Sequence, residues 1–369
     1  MIRVLQVFGS LNRGGLESFV MNLYRAIDKN KIQFDFLLSS PGGNYEEEVK
    51  AFGARIYYLP QRNRGIRNYH FALDKFFAEH AAEYNAIHVH ASSLSAITPL
   101  YYARKYGVKT RIIHSHSSTI RQELKANFLH HAAHRINKLR IGKLANIYLG
   151  CSDKALDWMY KGSGVRKKAC MINNAIPLTE YKFNEEVRKK IREDMGLHGK
   201  FVVGHVGSFT HVKNHRFLIS IFRDMLKEIP SAHLLIIGEG PLREQIISQI
   251  DNLGLKDNVT LAGLRSDVNT LLQGMDMIIM PSLFEGLPVS LVEAQASGLP
   301  VIASETISKD TAITPNIRFI PLSAGSEAWL KAIMEFHDHF RREDTSEFIS
   351  KNGFDIKNVA TYLSQIYSE

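Results

Sequence analysis

The chain has 369 residues, enough for two domains with separate cores, and its 45% hydrophobic and 22% charged content is ordinary for a soluble globular protein. It contains no apolar run of the roughly 18 residues a membrane span needs, and its two cysteines, Cys151 and Cys170, exclude a disulfide framework and form no metal-ligand pattern. The net charge of +9 is uneven: 26 of the 46 basic but only 12 of the 37 acidic residues fall within residues 1–176, giving that part +14 and the remainder −5. A basic half suits a phosphate-bearing substrate or an anionic membrane surface. Nucleic acid is set aside, because aromatic and basic residues are not interleaved as in single-strand binders.

Residues 2–8 (Ile-Arg-Val-Leu-Gln-Val-Phe) have strand composition and alternation. This start reads as a first strand and not as a signal peptide, and with the reduced cysteines it suggests a cytoplasmic protein. A glycine-rich turn, Gly9 to Gly15, leads into a helix with Leu16, Phe19, Val20, Leu23 and Ile27 on one face. Strand, glycine turn and helix open a Rossmann-like unit, but the dinucleotide fingerprint G-x-G-x-x-G is absent, which argues against NAD. Gly14-Gly15 serves either as a plain turn or as a place where backbone approaches a ligand. Further strands are expected at 32–38, 55–59, 86–90, 110–114 and 146–150, with helices at 44–52, 69–82, 94–106 and 153–161. Such alternation predicts a mostly parallel sheet covered on both faces, with ligands beyond the C-terminal strand ends. His88 and His90 end one strand, and His114 and His116 lie at the end of another. Residues 121–143 carry Arg121, Lys125, Arg135, Lys138, Arg140 and Lys143 between Leu124, Phe128, Leu129, Ala132 and Ile136. They read as a surface helix with an apolar inner face or as a contact with lipid phosphate.

Asn173 to Tyr181, containing Pro177, breaks the pattern and reads as a linker. After a charged helix to Met195 the scheme restarts. Strands are expected at 201–206, 233–237, 258–262, 276–280, 301–304 and 317–320. The turn Gly207-Ser208-Phe209 leads to Lys213-Asn214, and Gly263-Leu264-Arg265 precedes a short helix. Residues 354–367 form a last amphipathic helix. The expected domains are therefore 1–176 and 177–353, followed by the helix 354–369.

The second half is organised around Pro281 to Pro300. An apolar run ends at Met280, Glu285 sits on a Gly286-Leu287-Pro288 turn, and Glu293 follows eight residues later. Pro288 suits the first position of a helix, and Gly298 the residue just past its end. The free N–H groups of the helix start make an anion site, and two acids beside it suit a ligand that offers phosphate to the amides and hydroxyls to the carboxylates. A nucleotide sugar has both.

Two Rossmann-like halves, with Glu-Gly-Leu-Pro-Val-Ser-Leu-Val-Glu at 285–293, Gly207 through Lys213-Asn214-His215, the Gly14-Gly15 loop and His116, resemble the family 4 glycosyltransferases of GT-B fold. Asn174-Ala-Ile-Pro177 and Ala294-Gln295 are similar to a subgroup that builds bacterial capsular and exopolysaccharides. The resemblance covers nearly the whole chain. It implies an α/β fold of two Rossmann-like domains facing across a cleft, with the C-terminal helix crossing back to the first. It also implies retaining, metal-independent transfer of a sugar from a nucleotide-diphosphate donor, a UDP-sugar, to a glycan or lipid-diphosphate-linked acceptor in surface polysaccharide biosynthesis. Glu285 is expected on donor-sugar hydroxyls and Glu293 on the ribose. The amides of Gly286, Leu287 and Val289 with Lys213 are expected on the diphosphate. Gly14 and Gly15 approach it from the first domain, Gly263 and Arg265 lie near the base, and His116 lies by the sugar or the reacting edge. The pattern departs at Ser208, where the family carries arginine, and serine cannot replace a guanidinium fork. Arg13 is a candidate substitute. The departure leaves a non-catalytic partner of another transferase, or a sugar-nucleotide epimerase of the same fold, as alternatives.

Overall fold

The computed structural model describes residues 1–117 and 128–369. Contacts divide the chain into two units, Met1–Ile176 with Asp355–Glu369, and Pro177–Phe354.

In the first unit the described residues form a parallel sheet in the order β3-β2-β1-β4-β5-β6-β7. The strands are β1 (Ile2–Phe8), β2 (Ile32–Leu38), β3 (Ile56–Tyr58), β4 (Ala86–Ala91), β5 (Thr110–Ser115), β6 (Ile147–Gly150) and β7 (Cys170–Met171). Every residue of β2 is buried, as expected when helices cover both faces of a parallel sheet. One core lies around Leu73, Phe77, Ile113 and Tyr160, and the other around Phe19, Phe34, Phe36 and Leu363. The first helix, Gly15–Ala26, buries Phe19, Val20, Met21, Leu23 and Tyr24. It packs beside the last helix, Ile356–Ser368, which buries Leu363, Ile366 and Tyr367 and is capped by Asp355 accepting from the Lys357 N–H at 3.0 Å. The Ile356 N–H donates to the Ile176 carbonyl at 3.1 Å, so both chain segments that leave this unit do so side by side.

Two expectations change here. The two-residue β7 is too short to leave a sequence signal. The basic region is a helix over Phe128–Leu144, and its expected inner face is partly turned out. Phe128 is 81%, Ile136 51% and Leu139 78% exposed, while Ile141 and His134 are buried. His134 wins the inner position because its ring stacks on Trp158 at 4.3 Å and its Nδ1 accepts from the Leu94 N–H at 3.1 Å. Arg121, Leu124 and Lys125 lie outside the described residues.

The second unit's described sheet has the order β10-β9-β8-β11-β12-β13, with β8 (Phe201–Val206), β9 (Ala232–Ile237), β10 (Val259–Leu261), β11 (Met277–Met280), β12 (Val301–Ser304) and β13 (Ile317–Ile320). Its core gathers Leu218, Phe222, Leu234, Ile236 and Met277 around Trp329, which lies on a helix, Gly325–His339, outside the elements expected above. Arg188 and Arg192 pair with Asp276 and, with Arg342, cap the carbonyl end of the helix Val268–Gly274, where the helix dipole favours positive charge.

Both sheets reverse strand order once, between β1 and β4 in the first unit and between β8 and β11 in the second. In open parallel sheets this switch leaves a crevice beyond the strand ends where ligands bind. Among the described residues, no helix is long and apolar enough to cross a membrane.

Candidate active site

The switch point of the second unit carries a charged pair. Lys213 Nζ lies 2.6 Å from Glu285 Oε1, with only 14% and 18% of the two side chains exposed. Backbone staples bring them together. The Leu283 N–H donates to the Val212 carbonyl at 2.8 Å, and Asn214 Nδ2 donates to the Pro281 carbonyl at 3.1 Å. Asn214 itself takes the left-handed conformation (φ 54°) that asparagine tolerates. On its other side Glu285 pairs with Ile307, and its carbonyl accepts from the Ser308 N–H at 3.2 Å. Ser282 Oγ reaches Glu285 Oε1 at 3.3 Å. Glu285 is thus held through its main chain and through one carboxylate oxygen before any ligand arrives.

The helix that follows runs Val289–Ala296, with Pro288 as its N-cap at φ −68°, ψ 118°. Pro288 was expected inside the first turn, and it stands one residue before it. The helix ends as expected at Gly298, whose φ of +68° and whose hydrogens, 2.5 Å from the Glu343 carbonyl if replaced by a Cβ, admit only glycine. Among the described residues the N–H groups of Gly286, Leu287 and Val289 have no backbone partner. They are the free donors an anion site requires.

Glu293 lies one turn inside this helix, where burial lifts its carboxyl above the usual range. The Tyr181 hydroxyl opposes the lift by donating to Oε1 at 2.8 Å. Tyr181 belongs to the stretch read as a linker. It sits on a short helix, Leu178–Tyr181, and no local signal marks it, because its partner is 112 residues away.

In the first unit, Gly14 and Gly15 start the helix whose Phe19 ring lies 5.5 Å from the His116 ring. Gly14 has an extended backbone (φ −150°) and Gly15 is helical, so neither conformation demands glycine. A Cβ on Gly15 would meet nothing within 4 Å, and the same holds for Gly286. Glycines that the fold does not need leave room for something else to approach. Gly263 differs, because its φ of +68° accounts for it.

His116 is half-buried, and burial lowers it to about 4 while the Asn174 side chain pulls the other way. Both its ring nitrogens are engaged, Nε2 with His90 Nδ1 at 2.8 Å and Nδ1 with Asn174 Oδ1 at 3.2 Å. His88 and His114 complete a stack of four imidazoles.

Residues 13–180 match the model described as Glycosyltransferase Family 4, and residues 187–339 match Glycosyl transferases group 1. EpsF of Bacillus subtilis (strain 168), named as a glycosyltransferase, is 31% identical over 99% of this chain and 96% of its own. The chain belongs to the family 4 glycosyltransferases of GT-B fold. CapH of Staphylococcus aureus, named as a capsular polysaccharide biosynthesis glycosyltransferase, is 23% identical over 100% of this chain and 99% of its own. The crystal structure of Anabaena HepE in complex with UDP has the same fold, with a TM-score of 0.77, 17% identity and full coverage of both chains.

Two residues of this glycosyltransferase sit differently from the rest of the set. Arg265 is exposed and doubly bonded to Asp267, at 2.8 and 2.6 Å, so its charge is already matched by its neighbour. Ser208 is exposed at the end of β8, and its Oγ lies 3.5 Å from that of Thr210. No positive charge stands at that position.

Proposed function

We propose that this glycosyltransferase moves a sugar from a UDP-linked donor to a lipid-diphosphate-linked glycan, with retention at the anomeric carbon and without a metal, in the assembly of a surface polysaccharide. The observation that carries the reading is the switch point of the second unit, where Lys213 stands beside free amides and two ordered carboxylates. A diphosphate takes the amides and the lysine, and sugar and ribose hydroxyls take Glu285 and Glu293. The likeness to CapH supports the polysaccharide setting, and the UDP held by HepE supports the choice of nucleotide.

In the reaction the bond from the anomeric carbon to the β-phosphate oxygen breaks while the acceptor oxygen bonds to the same face. The acceptor proton passes to the departing phosphate oxygen. Lys213 and the helix-start amides balance the charge that develops on that phosphate, the kind of preorganised stabilisation that lowers such barriers most. Lys213 is held by Glu285 beforehand and needs little reorganisation to serve.

The acceptor's lipid calls for a membrane surface, and the helix Phe128–Leu144 offers one. Its exposed face carries Phe128, Ile136 and Leu139 with Arg135, Arg140 and Lys143 beside them. Basic and apolar groups on one face suit the inner leaflet of an anionic membrane. Phosphatidylglycerol vesicles should sediment the protein, and the bound fraction should fall steeply as salt rises. No binding at any salt concentration removes the membrane part of the proposal.

The donor part is tested by thermal shift against a panel of nucleotide sugars, since a ligand raises stability according to its affinity. A shift with UDP-sugars followed by transfer to a lipid-diphosphate acceptor supports the proposal. Binding without turnover until a second protein is added indicates a partner subunit instead, and conversion of the donor without acceptor indicates an epimerase.

A further inference from the structure

Four imidazoles cluster on and just past the inner strands β4 and β5 of the first unit's sheet, and their hydrogen bonds form two chains. One runs from Gln6 Oε1 to His90 Nε2 at 2.8 Å, from His90 Nδ1 to His116 Nε2 at 2.8 Å, and from His116 Nδ1 to Asn174 Oδ1 at 3.2 Å. The other joins the Tyr367 hydroxyl to His88 Nδ1 at 2.7 Å and His88 Nε2 to His114 Nδ1 at 3.3 Å. Gln6 comes from β1, His88 and His90 from β4, His114 from β5 and Tyr367 from the last helix.

The first chain has a definite proton count. With an amide oxygen at each end, the two rings would need three protons, one for each oxygen and one between the rings. The pair would then be an imidazolium. Gln6, His88 and His114 are fully buried and His90 nearly so. The groups acting on His90 by charge are the other three rings, and Phe19 of the first helix faces His116 and His114 with carbon only. Among the described residues no carboxylate acts on either ring of the pair. An uncompensated cation in such a place is strongly disfavoured.

One amide must therefore present nitrogen, and a side-chain amide can be turned without changing its shape. Gln6 is the one. As placed, its Nε2 makes no hydrogen bond of full geometry and is set against the Tyr367 hydroxyl, which can donate to an oxygen as readily as it accepts from a nitrogen, while its oxygen faces His90. Turned, Gln6 Nε2 donates to His90 Nε2, His90 Nδ1–H donates to His116 Nε2, and His116 Nδ1–H donates to Asn174 Oδ1. Two protons then satisfy every contact.

We propose that Gln6 and His90 are positioning residues for the transfer reaction, holding His116 as the neutral Nδ1–H tautomer through a chain that ends on Asn174. This rests on the reading that His116 serves transfer. A ring held in this way offers an approaching sugar its C–H edge and no ionic charge. The three ligand atoms of His88, His90 and His114 lie within 4.8 Å of one another, a grouping that a metal ion could also use. The proton chain competes with that use at His90, both of whose nitrogens are committed to hydrogen bonds.

The test is the imidazole nitrogen NMR spectrum of the full-length protein labelled at histidine, with His116 assigned by His116→Asn, read beside donor kinetics. The expected wild-type signal is an Nδ1–H, Nε2-unprotonated ring that holds from pH 8 to pH 5. Gln6→Glu places an acceptor that cannot turn, and it should produce an imidazolium pattern on His90 and His116 at pH 7. With it, kcat should fall roughly 10- to 100-fold while the donor KM changes little, as expected for a displaced reacting-edge group. Asn174→Asp, at the half-buried end, should likewise raise the His116 pKa and serves if Gln6→Glu does not fold.

An Nε2–H or charged His116 in the wild type overturns the proton chain, as does stoichiometric metal in the purified protein. Unchanged His116 signals in folded Gln6→Glu and Asn174→Asp overturn the control by the terminal amides. Altered signals with unchanged kcat overturn the positioning role. Wild-type signals as expected in a protein that binds but never transfers would instead count against the proposed function.

Discussion

Both sheets place their polar groups where strand order reverses, yet one edge is ionic and the other neutral. In the second unit Lys213 and Glu285 pair at 2.6 Å. In the first, three buried histidines and the half-buried His116 bond to one another and to amides. The ionic edge can meet a diphosphate without first acquiring charge. The neutral edge depends on pH, because its rings remain uncharged only while the fold excludes protons.

Acid should therefore break the first unit before the second. Burial lowers His88, His90, His114, His116 and His134 in the first unit, the last two to about 4, whereas in the second it lowers His205, His215 and His233. For a histidine lowered by folding, the unfolded chain takes up the proton first, so stability is lost as pH falls from about 6.5 toward the folded value. Each such ring adds about 1.4 kcal/mol per pH unit inside its window. Hydrogen exchange at pH 7 and pH 5 should show β4 and β5 losing protection by orders of magnitude more than β8 and β11. Equal loss in both sheets would dissolve the contrast.

Lys213→Ala attacks the ionic edge. It removes the cation that faces the diphosphate and leaves Glu285 unpaired at a site that is mostly buried. Removing one preorganised group of this kind lowers turnover by about 100- to 1,000-fold. Steady-state kinetics should show that loss in kcat/KM, and near wild-type turnover would displace Lys213 from the site.

Glu293→Gln separates stability from binding. Because burial raises the Glu293 carboxyl, the ionised form opposes folding as pH rises through the folded pKa, while the protonated form does not. The amide keeps the Tyr181 bond and cannot ionise. The ligand-free variant should melt higher than wild type at pH 8, and the difference should vanish toward pH 4. Its donor affinity should fall roughly 10- to 100-fold, the worth of a charge-assisted hydrogen bond. A variant that melts lower and binds normally would make Glu293 a structural residue.

Much of this contrast was legible in the residues. Strands came from apolar runs bounded by glycine, and the ionic edge from two glutamates eight apart around a Gly-Leu-Pro turn, all local signals. The helix Gly325–His339 carries one too, in Trp329, Ala332, Ile333 and Phe336, although it lies outside the elements expected above. What could not be read is what distance in sequence hides. Gln6 meets His90 across 84 residues, His88 meets Tyr367 across 279, and Tyr181 meets Glu293 across 112. The pairing of Lys213 with Glu285 was equally hidden, since the two were expected to serve different parts of a ligand. Composition also misleads where a polar ring packs better than an apolar chain, as His134 does on Trp158 while Phe128 and Leu139 face outward.

The smallest expected effect concerns Ser208. The ionic edge has one lysine where the pattern it resembles has arginine and lysine together. Ser208 is exposed and bonded only loosely to Thr210, so an arginine there displaces no packing. Its neighbour Gly207 lies against the Lys213 side chain, with Cε 2.9 Å from where a Cβ would stand, so position 208 is close to the cation already in place. If the diphosphate is short of one positive contact, Ser208→Arg should lower the donor KM by about 3- to 10-fold, in the range of an ordinary hydrogen bond because the site is exposed, and steepen its salt dependence. If Arg13 already supplies that contact, the added arginine should change KM less than about twofold, as exposed charges usually do, and Arg13→Ala should weaken donor binding in the wild type but not in Ser208→Arg. The pair of substitutions therefore decides whether one lysine suffices for the diphosphate or Arg13 adds to it.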